Sequence, residues 1–267
     1  PEHVSRKWHQ CSFEAGFRQF LCTLCGSISF LATAMKTAYR LILVVLAVGL
    51  LFAVSQLMKT FIFQEPVSRE EFVIQGIKYF VSPSGNDFQD GLSENTAFLT
   101  IQHALDIVEP GDGVMLVDGV YLQDFITRRN GTTEKPIIIS GSKKAVVKGT
   151  GKETKIIEIG HDHYVLSGFA VDGLEGNKNE KKNYRDKLIY VQSDEPLNGV
   201  TGLRILDMDI RNAGGECVRL KYFAQKNEVA RNHILGCGAY DFILSEKRKN
   251  GEGVYIGTAP EQVAKDK

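Results

Sequence analysis

Two cations stand two residues apart near the end of the chain, in the segment Glu216-Cys-Val-Arg-Leu-Lys221. If Val218 and Leu220 point into a core, the alternation of a β-strand turns Arg219 and Lys221 outward. A guanidinium holds a carboxylate through two parallel hydrogen bonds, and a lysine can serve as a general base. We therefore predict Arg219 and Lys221 as catalytic residues of a site for an acidic substrate.

Tyrosines occupy the positions that correspond to Arg219 in the neighbouring apolar segments. They are Tyr190 before it and Tyr255 after it. A tyrosine ring offers a flat apolar face on which a sugar ring can stack, and its hydroxyl offers a hydrogen bond. Glu216 and Glu252 stand at the start of the two segments that contain Arg219 and Tyr255. We predict that these two tyrosines and two glutamates bind the substrate.

Two carboxylates, Asp207 and Asp209, alternate along the segment Ile205–Ile210. Two residues apart on one strand, they can supply oxygen ligands to Ca²⁺. The alternative is that they are the ordinary polar positions of a half-exposed strand. Asp207 and Asp209 are our predicted metal ligands, with Ca²⁺ as the predicted cofactor.

A short repeat indicates how these residues are positioned. Ile205-Leu-Asp-Met-Asp-Ile210 recurs as Val229-Ala-Arg-Asn-His-Ile234, 24 residues later. A unit this short cannot bury its own apolar face, so it must stack on a copy of itself. The offset suits one coil of a parallel β-helix, in which stacked strands lie about 4.8 Å apart. Tyr190, Arg219 and Tyr255 would then form one continuous outward strip.

The repeat continues on both sides if two insertions are allowed. Leu166–Val171 matches the first motif 39 residues earlier, and Glu252–Ile256 matches Glu216–Leu220 36 residues later. Both offsets exceed the 24 residues of one coil, and the additional residues fall in two charged stretches, Glu175–Arg185 and Ser245–Asn250. Solenoids accept insertions as loops on one face, commonly the binding face, although a solvated loop is the alternative interpretation.

The first part of the folded region contains one helical pattern. Ile101, Ala104, Leu105 and Val108 share a face within Phe98–Val108, with Thr100 as a candidate N-cap. Short apolar runs separated by turn residues indicate strands elsewhere: Ile77–Val81, Val114–Val117, Pro136–Ser140, Val146–Val147, Ile156–Ile159, Tyr164–Leu166 and Leu188–Val191.

Four motifs in this region carry a family resemblance. They are Tyr79-Phe-Val-Ser-Pro-Ser-Gly-Asn-Asp, Phe98-Leu-Thr-Ile-Gln-His-Ala-Leu105, Val117-Asp-Gly-Val-Tyr121 and Asn130-Gly-Thr-Thr-Glu-Lys-Pro-Ile-Ile-Ile139. In this order they resemble the N-terminal cap of right-handed parallel β-helix proteins of the pectate-lyase-like superfamily, including family 9 polysaccharide lyases. The resemblance implies an all-β, right-handed parallel β-helix over 77–267, with an N-terminal capping helix that plugs the first coil.

The resemblance also implies an activity on an acidic polysaccharide. Lyases of this kind abstract the proton α to a uronate carboxylate, commonly with Arg or Lys as the base and Ca²⁺ on the carboxylate. A glycoside hydrolase is less expected, since it needs two nearby carboxylates and Glu216 with Glu252 is the only aligned pair. The alternative is a non-catalytic, glycan-binding or surface scaffold β-helix protein.

The overall charge gives no indication of a nucleic-acid partner. Lys plus Arg and Asp plus Glu both number 32 among 267 residues. A chain without excess positive charge does not predict nucleic-acid binding. We expect a polysaccharide partner that contains uronate, and a monomeric protein.

An uncharged apolar run, Leu41–Met58, follows Met35 and the cations Lys36 and Arg40. Its 18 residues reach the lower limit for a membrane span and also suit the core of a signal peptide. We predict an upstream extension (1–34), a signal peptide or membrane anchor (35–58), a linker (59–76) and a β-helix (77–267) truncated at its C-terminal end. The flanking charges favour a type II orientation, with the β-helix exported.

The cysteines allow two interpretations. Cys217 and Cys237 can pair if the chain is exported, or they can be two small buried residues inside the coils. We favour the second interpretation. Cys22-Thr-Leu-Cys25 is a single CxxC motif, whereas a structural zinc site needs four ligands.

Overall fold

The computed structural model describes residues 35–36, 38–56, 72–151, 153–195, 197–247 and 251–258. The chain divides into two compact units, Pro1–Glu71 and Phe72–Lys267. The upstream extension at 1–34, most of the predicted linker and the last residues at 259–267 lie outside the described residues.

The first unit contains a long apolar helix, α1 (Ala38–Gln56), within the described residues. It has 19 residues, and its apolar side chains are exposed. Its length and composition are sufficient to cross a membrane, and a signal sequence would meet the same criteria. The helix falls within the segment 35–58, for which a signal peptide or an anchor is predicted.

The second unit is built from short strands. Its described residues form β1 (Lys78–Val81), β2 (Gly113–Leu116), β3 (Gly119–Tyr121), β4 (Phe125–Ile126), β5 (Ile137–Gly141), β6 (Ala145–Val147), β7 (Lys155–Ile159), β8 (Tyr164–Ser167), β9 (Ala170–Asp172), β10 (Lys187–Val191), β11 (Arg204–Leu206), β12 (Asp209–Arg211), β13 (Val218–Leu220), β14 (Glu228–Ala230), β15 (His233–Leu235) and β16 (Val254–Ile256). Two short helices join them, α2 (Ile101–Ile107) and α3 (Ala239–Phe242), with 3₁₀ turns at Glu94–Thr96 and Lys181–Asn183.

The strands form three parallel sheets. Sheet A has the order β1-β2-β5-β8-β11-β14, sheet B has β3-β6-β9-β12-β15, and sheet C has β4-β7-β10-β13-β16. The chain passes from sheet A to sheet B to sheet C and then begins the next coil. Each coil therefore adds one strand to each sheet. The predicted fold, a right-handed parallel β-helix with an N-terminal helix, is confirmed.

The register of the sheets follows the sequence repeat. Ile205 pairs with Val229 in sheet A, and Ile210 pairs with Ile234 in sheet B. Leu166 pairs with Ile205 across the first insertion. The predicted alignment through the insertions is therefore confirmed, because the apolar positions alone determine which residues stack.

Inward-facing aliphatic side chains stack from coil to coil and form the core. In sheet A one ladder runs Val114–Ile139–Leu166–Ile205 through successive strand pairs, and all four side chains are fully buried. Such a ladder joins every coil to the next through apolar contact. Its burial is the main source of stability in a fold of this kind.

Helix α2 closes the first coil. The Thr100 side chain accepts a hydrogen bond from the backbone N–H of His103, which confirms the predicted N-cap. Ile101, Ala104 and Leu105 are fully buried, and the helix packs on β1, β2 and β4. The helix is shorter than predicted because the backbone N–H of Phe98 donates to Phe80 in β1. Phe98 is therefore held extended beside that strand.

The segment 72–76, predicted as linker, belongs to the folded unit. Phe72 and Ile74 pack on an apolar patch outside sheet A that contains Ile138, Val165 and Leu206. These three side chains point away from the coil interior. The pattern of inward-facing residues therefore did not predict that another segment packs on them. Residues 72–76 therefore belong to the same compact unit as the β-helix.

Cys217 and Cys237 form a disulfide, with Cα atoms 5.5 Å apart. The favoured interpretation of two unpaired buried cysteines is therefore wrong. Both residues lie in turns from sheet B to sheet C, in successive coils. The stacking of the coils brings the two turns to a separation that a disulfide can span.

Candidate functional site

The predicted strip lies on the outer face of sheet C. Tyr190 of β10 pairs in register with Arg219 of β13, and Arg219 pairs with Tyr255 of β16. Glu158 of β7 extends the row, since it pairs with Tyr190. We call Glu158, Tyr190, Arg219 and Tyr255 the sheet C row. Its alignment confirms the predicted register of these positions, whereas the roles of the residues stay predictions.

Alternation along β13 explains how Arg219 reaches this face. Val218 and Leu220 on either side of it are buried in the core. Their burial turns Arg219 outward. The same pattern places Tyr190 outward between the buried side chains of Ile189 and Val191.

Arg219 is held by two neighbours and is only 9% exposed. Its Nη1 donates to Oε1 of Glu216. Its guanidinium lies 4.5 Å from the centre of the Tyr255 ring, as a cation–π contact. A hydrogen bond to a carboxylate and a stacked aromatic ring fix the guanidinium plane.

Glu216 lies beneath this surface. It is 1% exposed, and Oε2 of its carboxylate stands 3.4 Å from Nζ of Lys187. Lys187 in turn contacts Asp186 at 2.5 Å. Because the Glu216 carboxylate is buried between two cations, it positions Arg219. We predicted that Glu216 contacts the substrate directly, but its carboxylate is too deeply buried for a substrate to reach.

Tyr190 is oriented by its own neighbours. Nζ of Lys155 lies 4.3 Å from the centre of its ring, and the tyrosine hydroxyl donates to Oε1 of Gln192 at 2.6 Å. Lys155 also forms an ion pair with Glu158 at 2.5 Å. The ring therefore stands in a defined position between charged groups.

Lys221 and Glu252 lie at opposite ends of their strands. Lys221 directly follows β13, is 8% exposed, and has its Nζ 5.6 Å from the centre of the Tyr222 ring. Glu252 precedes β16, and its carboxylate accepts a hydrogen bond from the backbone N–H of Gly251. Lys221 thus stands at the margin of the sheet C row. Glu252 lies in the turn before the row.

The predicted calcium ligands do not share a strand. Asp207 lies in the turn between β11 and β12 with φ of +54°, whereas Asp209 begins β12. Both carboxylate oxygens of Asp207 accept from Arg231 at 3.1 Å. The prediction of two ligands on one strand is wrong, because the tight turn between sheets A and B separates them.

Asp209 also has cationic partners. Its Oδ2 accepts from Arg211, and its Oδ1 lies 3.2 Å from Nδ1 of His233. Arginines thus neutralise both carboxylates, so this pair does not fit a divalent cation. Within the described part of the chain, no group of three or more His, Cys, Asp or Glu side chains is placed to hold a metal ion.

Two long turns before sheet C pack on each other. One holds the predicted insertion Glu175–Arg185, and the other holds α3 and the start of the predicted insertion Ser245–Asn250. The rings of Tyr184 and Tyr240 meet edge to face with centroids 6.4 Å apart, and Nζ of Lys181 lies 2.8 Å from Oε2 of Glu246. We call these two turns the paired insertions.

The paired insertions cover the short turn of the coil between them. A Cβ atom at Gly214 in that turn would lie 2.3 Å from the Tyr240 ring, so only glycine allows this approach. The covered turn leads to Glu216 and Arg219. The insertions are therefore packed against the coil that carries the centre of the sheet C row, and they are not simply solvated loops.

The sequence interpretation missed three charged residues of the site. Lys155, Glu158 and Lys187 lie on β7 and β10, which were predicted from their apolar residues alone. The register that placed Tyr190 beside Arg219 also places Glu158 beside Tyr190. Extending the same alignment back by one coil, to β7, predicts the positions of Lys155 and Glu158.

Comparisons with known proteins agree with this architecture. The chain matches no model of a known protein family. In the structure of pectate lyase Pel9A, a TM-score of 0.51 covers 68% of this chain and 45% of that chain, with 15% identity. The fold is pectate-lyase-like.

One further solved structure and one protein similar in sequence were found. The structure of the alginate lyase from Paenibacillus sp. strain FPU-7 matches 61% of this chain and 49% of that chain, with 20% identity and a TM-score of 0.48. The uncharacterized protein YwoF of Bacillus subtilis (strain 168) is 28% identical over 178 residues. That alignment covers 66% of this chain and 32% of YwoF, so the chain spans about a third of this relative.

Proposed function

We propose that this chain is an exported or membrane-anchored polysaccharide lyase that cleaves a uronate-containing polymer by β-elimination. The sheet C row is the observation that carries the proposal. It presents two tyrosines and an arginine in register across three coils, on the fold of a pectate lyase. Stacked coils give a long surface along the β-helix axis, as a polymer requires.

In this proposal Arg219 binds the uronate carboxylate and Lys221 is the base. Arg219 bonds to Glu216 through Nη1, and a guanidinium can hold a second carboxylate through its other N–H groups. Lys221 stands two residues away along the chain, and its role as the base requires the neutral amine. The proton α to the carboxylate moves to this amine. The electron pair forms a carbon–carbon double bond, the glycosidic C–O bond breaks, and the leaving oxygen takes up a proton.

Tyr190 and Tyr255 bind sugar rings on either side of Arg219. Both rings already contact a cation, so each ring is held in one orientation. No step of this mechanism is assigned to calcium at Asp207 and Asp209, because an arginine neutralises each of these two carboxylates.

The test is the ultraviolet absorbance of the unsaturated product, with polygalacturonate and alginate as substrates. We expect the full chain to be active, and Arg219→Ala or Lys221→Ala to lower the rate by at least about 100-fold. Lys144→Ala, an exposed lysine between β5 and β6, is the control and keeps the activity. Parallel assays with added calcium and with a chelator show whether the cation is needed. An inactive full chain, or two active variants, would refute the proposal.

A non-catalytic glycan-binding protein is the second candidate. The burial of Arg219 and Lys221, at 9% and 8% exposure, favours it, because a base must reach its substrate. Under this function, affinity electrophoresis in polygalacturonate shows retardation of the chain while the absorbance assay shows no product. Retardation together with product formation supports the lyase.

Export of the β-helix is supported by two features. Helix α1 is long and apolar enough to direct a chain to a membrane, with Lys36 and Arg40 at its amino side. The disulfide between Cys217 and Cys237 is typical of an oxidising compartment. These two features support the proposal that the β-helix lies outside the cytoplasm.

Replacing Cys217 and Cys237 together by Ser should lower the free energy of unfolding by about 3 kcal/mol, because the bond closes a loop of 20 residues. Urea titration followed by circular dichroism measures the change, and reduced wild-type protein should behave like the double variant. An unchanged midpoint would contradict the prediction. In protein taken from intact cells, both cysteines should resist alkylation until a reductant is added. Immediate alkylation would instead place the β-helix in the cytoplasm.

A further inference from the structure

A cavity of about 220 Å³ opens on the outside of sheet A. It is lined by residues of the turns from sheet C to sheet A, by Val165 of β8 and Arg204 of β11 in sheet A, and by Phe72. None of the sheet C row residues contributes to it. The cavity is therefore a second concave surface of the folded unit.

Successive coils supply the wall of the cavity. Thr132 comes from the turn before β5, His163 from the turn before β8, Thr201 from the turn before β11, and Lys226 from the turn before β14. Stacked strands lie about 4.8 Å apart, so the cavity extends along the β-helix axis. Phe72 forms the opposite side.

The charge of the cavity is positive. Arg204 and Lys226 line it, and no carboxylate is found among the described residues that form its lining. Arg204 pairs with Glu228 at 3.6 Å, and this carboxylate lies outside the lining. A concave site with basic groups on one wall attracts an anion.

Apolar and hydroxyl groups accompany this charge. The guanidinium of Arg204 stacks 4.8 Å from the centre of the Phe72 ring, which fixes its plane. Thr132 and Thr201 offer hydroxyl groups. Gly202 has φ of +72°, and a Cβ there would lie 2.3 Å from Nδ1 of His163, so glycine lets the imidazole reach the cavity floor.

We propose that this cavity binds one acidic sugar unit, with its carboxylate held by Arg204 and Lys226. The apolar side of the sugar ring faces Phe72, and the ring hydroxyls bond to the threonines. The cavity is smaller than the pockets of about 300–1,000 Å³ that enclose drug-sized ligands, so it suits a single small unit. The site shares its ligand class with the proposed function but needs no cleavage at the sheet C row.

Isothermal titration calorimetry on the full chain in detergent tests this site, with trigalacturonate as the probe. Arg219→Ala is present throughout, so that binding at the sheet C row is weakened. We expect the double variant Arg204→Gln with Lys226→Asn to lower the affinity by at least about tenfold. Lys226→Asn alone lowers it about two- to fivefold, since Lys226 is exposed and Asn tolerates its φ of +55°. Lys144→Asn is the matched control and leaves the affinity unchanged.

The probes distinguish the source of the sugar. Binding of free galacturonate indicates a site for a monosaccharide, and a requirement for trigalacturonate indicates a site for a polymer segment. Equal binding of the fully methyl-esterified trimer would overturn the proposal, because that ligand has no charge. An affinity unchanged in both Lys226→Asn and the double variant would also overturn it. Loss of lyase activity in Arg219→Ala without loss of this binding separates the two proposals.

Discussion

Glu216→Ala should lower the free energy of unfolding by about 3–5 kcal/mol, the largest effect that we expect from one polar residue. The carboxylate is 1% exposed, bonds to Arg219 and pairs with Lys187. Removing it deprives the buried Arg219 of a carboxylate partner and takes away one of the two carboxylates that contact Lys187. Breaking a buried ion pair on one side costs far more than the pair itself contributes. The midpoint of urea unfolding measures the change.

Two further variants test this explanation. Glu216→Gln keeps the shape and one hydrogen-bond acceptor, so it should recover part of the loss. Glu158→Ala removes a carboxylate of the same row, but this one is half-exposed and belongs to a surface pair, so it should cost about 1 kcal/mol or less. If Glu216→Ala and Glu158→Ala shift the midpoint equally, burial is not the cause.

Leu166→Ala should lower the free energy of unfolding by about 2–5 kcal/mol. Leu166 is fully buried and stacks between Ile139 and Ile205 in the ladder of sheet A. The neighbouring coils are held by their own backbone hydrogen bonds and cannot collapse into the space. The loss therefore includes both the lost apolar burial and the cavity that remains.

Val120→Ala is the control for this substitution. Val120 lies on β3 and is 52% exposed, so it leaves no cavity and should cost about 0.5 kcal/mol or less. Both variants are compared by urea unfolding followed by circular dichroism. Equal effects of the two substitutions would show that the ladder contributes no more than any strand residue.

The fold was predictable because it depends on a repeated apolar pattern. The pairing of Ile205 with Val229 can be read from the sequence, since any other register would turn one of them toward water. The same register placed Tyr190, Arg219 and Tyr255 in one row. Outward positions follow directly once the inward ones are known.

The disulfide, the burial of Glu216 and the separation of the two aspartates could not be predicted in this way. They depend on how the turns between strands fold, and the strand register does not determine this. The disulfide of Cys217 requires knowing how closely two turns approach. The burial of Glu216 depends on the conformation of the turn before β13. Turns lack the regular alternation of side chains that allows burial to be predicted along a strand. The separation of Asp207 from Asp209 depends on a left-handed residue at a tight corner, and an aspartate adopts this conformation more readily than most residues.

The contact between Tyr184 and Tyr240 changes how the molecule responds to unfolding. In a solenoid each coil touches only its neighbours, so stability adds up coil by coil and opening can begin at either end. This contact passes over one coil and joins the two beside it. Opening the middle coil then also breaks the link between its neighbours. The three coils that carry Tyr190, Arg219 and Tyr255 should therefore open together as one cooperative unit, and local opening should occur in the remaining coils.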